Sequence, residues 1–208
     1  MAPRFNNRPI IENPNRPICS FPSCDLHGQP MVGSEGNPHP VAMLVGEAPG
    51  QEESESGYPF VGKSGRELTM YLRDFTRIPR RRFYITNLIR CRPPNNRDPN
   101  KTEIETCAAH LLLELSDIDP RIVGTIGRLS TQWFLGSDTK MEKVHGNVFE
   151  VDGRVIVPLY HPAFGLHSPR RMKEIIDDFR VLGEVVRGER GVTKTSDVVP
   201  QYTVRALS

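Results

Sequence analysis

The sequence predicts an α/β domain, a three-layer α/β/α arrangement around a central four-stranded parallel sheet. Two observations carry that expectation. Four short apolar or β-branched runs, Val41–Val45, Phe83–Thr86, Arg121–Ile126 and Val155–Tyr160, alternate with segments of helical periodicity. Strands alternating with helices give a parallel sheet flanked by helices. The chain is also of a suitable size, since 208 residues at 37% hydrophobic can bury one domain-sized core.

The first strand, Val41–Val45, runs straight into the glycine- and glutamate-rich stretch "GEAPGQEESESGYPFVGKSG". Gly65–Phe75 then carries leucine, methionine and tyrosine at helical spacing. The second strand, Phe83–Thr86, ends on Asn87. Lys101–Leu115 begins a helix after "DPN", with Glu103 and Glu105 in its first turns, where negative charge suits the helix dipole. Arg121–Ile126 and the helix Arg128–Leu135 follow, then Val155–Tyr160, and last the helix Arg170–Val186. Ligands of open parallel sheets sit beyond the carboxyl ends of the strands. The "GEAPG" loop, the "TN" pair and "YHP" therefore fall on one rim. Residues 1–40 read as an N-terminal arm, 41–187 as the domain and 188–208 as a C-terminal tail.

Composition excludes little but is informative. The formal net charge of +2 is too small to announce a polyanion partner. Arginines nevertheless cluster at Arg77–Arg82, Arg90–Arg97 and Arg170–Lys173, a pattern compatible with nucleic acid. No apolar run reaches the roughly 18 residues of a membrane span, and "MAPRFNNRPIIENPNRP" is too polar for a signal peptide. A soluble, cytoplasmic monomer is expected.

Four cysteines form two pairs, Cys19 with Cys24 and Cys91 with Cys107. A reducing compartment argues against disulfides. Four thiolates brought together suit tetrahedral zinc or an iron–sulfur cluster, and spacing alone does not choose between them. Four unrelated buried cysteines are the plain alternative. The "GEAPG" loop is equally ambiguous by itself. It has neither the lysine of a P-loop nor the G-x-G-x-x-G spacing of a dinucleotide site, and alone it reads as a tight strand-to-helix turn.

Several separated motifs taken in order resolve this. "GEAPGQEE" with "GYPFVGKSG", then "YITNLIRCRPPNNRDP", Cys107 and "LYHPAFGL" resemble the family 4 uracil-DNA glycosylases, the iron–sulfur branch of that superfamily. The resemblance spans roughly Cys19–Val186. It implies excision of uracil from DNA by hydrolysis of the N-glycosidic bond, the first step of base excision repair, and a 4Fe–4S cluster on Cys19, Cys24, Cys91 and Cys107. The first cysteine pair is C-x4-C where family members typically show C-x2-C.

The resemblance also implies roles that chemistry can test. A flipped uracil needs a face to stack on, and Phe60 stands at the stacking position. Its O4 acceptor and N3–H donor call for one carboxamide, which Asn87 supplies. Gly46, Ala48 and Glu53 complete the uracil-binding set. His161 is placed to donate to uracil O2 as negative charge builds on the leaving base. Ala48 stands where another branch carries a water-activating aspartate, which leaves Glu47 and, after it, Glu53 as candidates to position water or support the sugar cation, with capping of the following helix as the plain alternative for either carboxylate. Leu166 is a wedge for the vacated stack, with Arg170 and Arg171 near phosphates. In this reading the cluster is structural.

Three alternatives stay open on the sequence. The X-type uracil-binding branch shares the GE-x-PG motif but carries an inserted basic loop, absent between Arg90 and Thr102. A DNA-binding iron–sulfur module of phage or polymerase association, with decayed glycosylase activity, is a second. The third is a zinc-stapled domain with no DNA role.

Overall fold

The computed structural model describes residues 17–165 and 169–195. Its strands are β1 (Glu35–Gly36), β2 (Met43–Gly46), β3 (Tyr84–Asn87), β4 (Ile122–Ile126), β5 (Phe149–Val151), β6 (Arg154–Leu159) and β7 (Lys194–Thr195). Its helices are α1 (Gln51–Ser56), α2 (Lys63–Tyr71), α3 (Lys101–Ile118), α4 (Arg128–Leu135), α5 (Met141–Val144) and α6 (Pro169–Val186). Helix α2 continues as a wider π-turn over Leu72–Thr76.

The four expected strands form the centre of the sheet, β3–β2–β4–β6, all parallel. The expectation of four strands is corrected to a mixed sheet of seven, ordered β1–β3–β2–β4–β6–β5–β7. β1 and β5 pair antiparallel to β3 and β6, and β7 extends the far edge beside β5. Strands of two or three residues are too short to display a period of two, so pairing alone creates them. The β5–β6 hairpin turns on Asp152 and Gly153, both at positive φ, a two-residue Asp-Gly connection that matches the twist of its strands. Glu35 and Lys194 lie outside the 41–187 span, yet both are paired into the sheet.

Alternation along the strands explains the layers. Leu44, Ile85, Val157 and Leu159 face one side, against Leu68 and Tyr71 of α2 and Ile175, Phe179 and Leu182 of α6. Met43, Val45, Val123 and Ile156 face the other, against Leu111 and Leu115 of α3 and Trp133 and Phe134 of α4. Ile175, Phe179 and Leu182 recur at i, i+4 and i+7, which puts them on one helix face. Each such side chain contributes about 1.5–3 kcal/mol on burial. Helix α3 starts at a reciprocal cap. The Asn100 side chain accepts from the Glu103 N–H, and the Glu103 carboxylate accepts from the Asn100 N–H, each at 2.9 Å. No helix among the described residues is long and apolar enough to cross a membrane.

Candidate active site

The carboxyl ends of β2, β3 and β6 open onto a cleft of about 390 Å³. Glu47, Ala48, Glu53, Phe60, Asn87 and His161 all line it, so the sheet brings together residues spread over most of the chain. Its opposite wall is Pro93–Pro99, on the segment that joins Cys91 to α3. Arg97 is held there by a two-pronged pair to the fully buried Glu103, 2.6 and 2.9 Å, which keeps that carboxyl below its ordinary range. Asp98 is tied across to Arg128 at 2.6 Å.

Gly46 pairs in register with Asn87, and a Cβ on it would overlap both Asn87 Oδ1 and the Phe60 ring. Glycine is needed for that close approach. Asn87 is 3% exposed, and its carboxamide has no hydrogen-bond partner among the described residues. Asn87 lines the cleft, so its carboxamide is open to a ligand there.

His161 follows β6, with its ring 6.1 Å from that of Phe60. Burial pushes its pKa down to about 4, against a smaller opposing pull from Glu53, so the ring is neutral at physiological pH. The Ala163 N–H donates to Nδ1 at 3.2 Å. Nδ1 is thus the acceptor and Nε2 carries the proton, a neutral donor. The chain just before it is anchored by buried Asp178, which accepts from the Tyr160 N–H at 2.9 Å and meets His145 Nδ1 at 2.8 Å. Burial raises the Asp178 pKa, and the Asp178 contact raises that of His145.

The two glutamates differ. Glu47 Oε1 accepts from the Leu129 N–H at 2.8 Å, in the first turn of α4, and burial raises the carboxyl pKa. Glu53 has both oxygens committed to backbone. Oε2 accepts from Gly50, and Oε1 from Val61 and Gly62 at 2.9 and 2.7 Å. It staples α1 to the start of α2. Within the glycine- and glutamate-rich stretch, Gln51–Ser56 form helix α1, whose acidic first turn is favoured by the helix dipole.

Leu166 lies outside the described residues. Arg170 and Arg171 stand on the first turn of α6 and do not line the cleft. Arg170 pairs with Glu174 at 3.2 Å, while Arg171 contacts Glu174 and the Tyr160 hydroxyl and lies 4.7 Å over the Phe164 ring. Three contributors were missed by the sequence reading. Arg80 reaches the Phe60 carbonyl and is itself held by Glu35, and Asp178 supports the His161 strand end. Their partners are too distant in sequence for any spacing rule to find.

All four cysteines are buried in one small cluster with Leu26 and Ile89. They line a second cavity, together with His110, whose Nε2 is buried and unpartnered. The Arg90 N–H donates to Cys107 Sγ at 3.2 Å. The Arg90 side chain pairs with Glu114, which also accepts from Tyr84 and Thr86 at 2.9 Å each, joining the cysteine site to β3. Burial, with smaller repulsion from neighbouring thiols, pushes the Cys91 and Cys24 thiols up and Cys107 to about 11. Among the described residues no group of three or more His, Cys, Asp or Glu is disposed around a single metal ion.

With this geometry in view, the comparisons decide the family. The model of the uracil DNA glycosylase superfamily matches residues 34–180. The chain belongs to that superfamily. It is 38% identical over 180 residues to a type-4 uracil-DNA glycosylase of Archaeoglobus fulgidus, covering 82% of this chain and 90% of that protein. It is 40% identical over 163 residues to a type-4 enzyme of Saccharolobus solfataricus, covering 74% and 76%. A third, from Sulfurisphaera tokodaii, is 36% identical over 165 residues and covers 74% of each. The superfamily match takes in β1 and most of α6, hence every strand end that lines the cleft.

Proposed function

We propose that this protein hydrolyses the N-glycosidic bond of uracil in DNA, leaving an abasic site for repair. One observation carries the reading: an Asn87 carboxamide with no hydrogen-bond partner among the described residues shares a cleft with a neutral His161 donor and the Phe60 ring. The names of its type-4 relatives agree with it.

A base inside a duplex is inaccessible, so deoxyuridine leaves its stack and enters the cleft. Phe60 gives it a stacking surface, with the Gly46 and Ala48 backbone alongside. Asn87 accepts from N3–H and donates to O4, a pattern that cytosine reverses at both positions. As the glycosidic bond lengthens, the sugar gains cationic character and the uracil gains negative charge. Nε2–H of His161 donates to O2 and stabilises that anion, an interaction stronger in the transition state than in the ground state. Ala48 cannot act as a base, so the oxygen of Glu47 not tied to Leu129 orients water or supports the cation. Glu53 serves the pocket by fixing the loop that bears Phe60. Leu166 fills the gap left in the stack, and Arg170 and Arg171 lie toward the DNA backbone; the protein acts as a monomer in the cytoplasm.

The four cysteines fit a 4Fe–4S cluster. They are four buried thiols on one cavity, unfavourable as bare thiolates, and the positive core of an iron–sulfur cluster would offset part of that charge. When bound, the cluster supplies a covalent cross-link between the N-terminal segment, the cleft wall and α3. No bond-breaking step passes through it.

The test is incubation with a uracil-containing oligonucleotide, then alkali to cleave abasic sites. Strand breaks at uracil and nowhere else are expected. Tight DNA binding without any breaks would overturn the reading in favour of a binding module.

A further inference from the structure

Phe60 adopts φ of 51°, a backbone conformation that a phenylalanine rarely takes. Such strain persists only where the surroundings impose it. The Glu53 staple holds the next two N–H groups, and Gly65 lacks the Cβ that would overlap the Phe60 carbonyl. The remaining constraint comes from Arg80. Its Nη1 donates to the Phe60 carbonyl at 2.9 Å and to Thr69 Oγ1 at 3.1 Å. Its Nη2 donates to the Pro59 carbonyl at 2.8 Å, and its Nε to Glu35 Oε1 at 2.6 Å. One guanidinium therefore ties two consecutive carbonyls of the Phe60 loop to an acid on the edge strand β1. Arg81 and Arg82, beside it, are exposed and share none of these contacts.

We infer that Arg80, oriented by Glu35, is a positioning residue that sets the Phe60 ring over Gly46 and Asn87 and so defines the stacking wall for the base. The inference rests on the reading of Phe60 as the stacking face. Lysine cannot replace this group, because a compact ammonium lacks the planar fork that spans two carbonyls and a carboxylate at once. The basic run at 77–82 thus contains an arginine turned inward to shape the pocket.

The experiment combines single-turnover uracil excision by Arg80→Lys, Phe60→Ala and the double variant with a spectroscopic readout. Protein labelled with 4-fluorophenylalanine reports the Phe60 ring by ¹⁹F resonance, assigned from Phe60→Leu. Arg80→Lys is expected to slow excision about ten- to a hundredfold, the scale of a lost charged hydrogen bond or two. It should also shift the Phe60 resonance, and add nothing further in the Phe60→Ala background. Glu35→Gln should act in the same direction by a smaller factor, and Arg81→Lys should change neither readout. An equal loss in both backgrounds, or an unmoved Phe60 resonance, would overturn the inference. Should Phe60→Ala excise uracil at the wild-type rate, the stacking reading falls, and the ¹⁹F shift in Arg80→Lys then decides the positioning role alone.

Discussion

The cleft and the cysteine cavity sit at the two ends of one short segment, Asn87 to Cys91, and treat their polar groups in opposite ways. In the cleft the scaffold is satisfied internally while the groups proposed to read the base are left open to it. Glu53 bonds only backbone, and Arg80 bonds backbone together with Glu35 and Thr69, whereas Asn87 has no partner among the described residues and His161 keeps Nε2–H available. In the cysteine cavity the thiols crowd one another in low dielectric, and their charged forms are disfavoured. Under the proposed function, the first region is ready for its ligand without it, whereas the second acquires its favourable state only with its cluster.

The sharpest way to break this contrast is Asn87→Ala. It should reduce uracil excision roughly 10²–10⁴-fold, the scale of two lost hydrogen bonds in an enclosed site. Because the carboxamide has no partner among the described residues, thermal stability should hold or rise slightly. A wild-type single-turnover rate would remove Asn87 from the pocket.

Next in size is His161→Ala, expected to slow the chemical step about 10²–10³-fold, or 2.7–4 kcal/mol, as for loss of an oxyanion-type donor. The pH dependence has a definite sign. Folding depresses this pKa from 6.5 to about 4, so between those values the unfolded chain binds more protons. The His161 contribution to stability is therefore present above about pH 6.5 and lost as pH falls toward 4. Urea melts of wild type and His161→Gln across that window should show a shallower acid slope in the variant.

The other region is probed through stability rather than rate. Cys107→Ser, or removal of iron by chelation, should lower Tm by about 5–10 °C, since binding energy at a structural metal is folding energy. Anaerobically purified wild type should contain about four irons per chain, measured by colorimetric assay. Stoichiometric zinc without iron would replace the cluster with a different staple.

The smallest effect is expected at Glu47. Glu47→Gln keeps an oxygen for the Leu129 N–H, so it should cost less activity than His161→Ala and little Tm. A larger loss than at His161 would make the carboxylate the main catalytic group.

What the sequence determined by itself was whatever is written locally. The period of its apolar runs placed the four central strands and the four main helices, and strand ends after "LVG", "ITN" and "VPLY" put Gly46, Asn87 and His161 on one rim. The motif order and the cysteines carried the family. Tertiary structure decided which partner each polar group found. Glu53, equally plausible as a ligand for uracil, became a backbone staple because the Val61 and Gly62 N–H groups fold onto it. Arg80, one of several neighbouring arginines, turned inward because the edge strand brought Glu35 to meet it. The edge strands themselves arose only by pairing. Hydrophobic period survives in any window of a dozen residues, whereas a hydrogen bond between residues far apart depends on the packed fold that brings them within 3 Å.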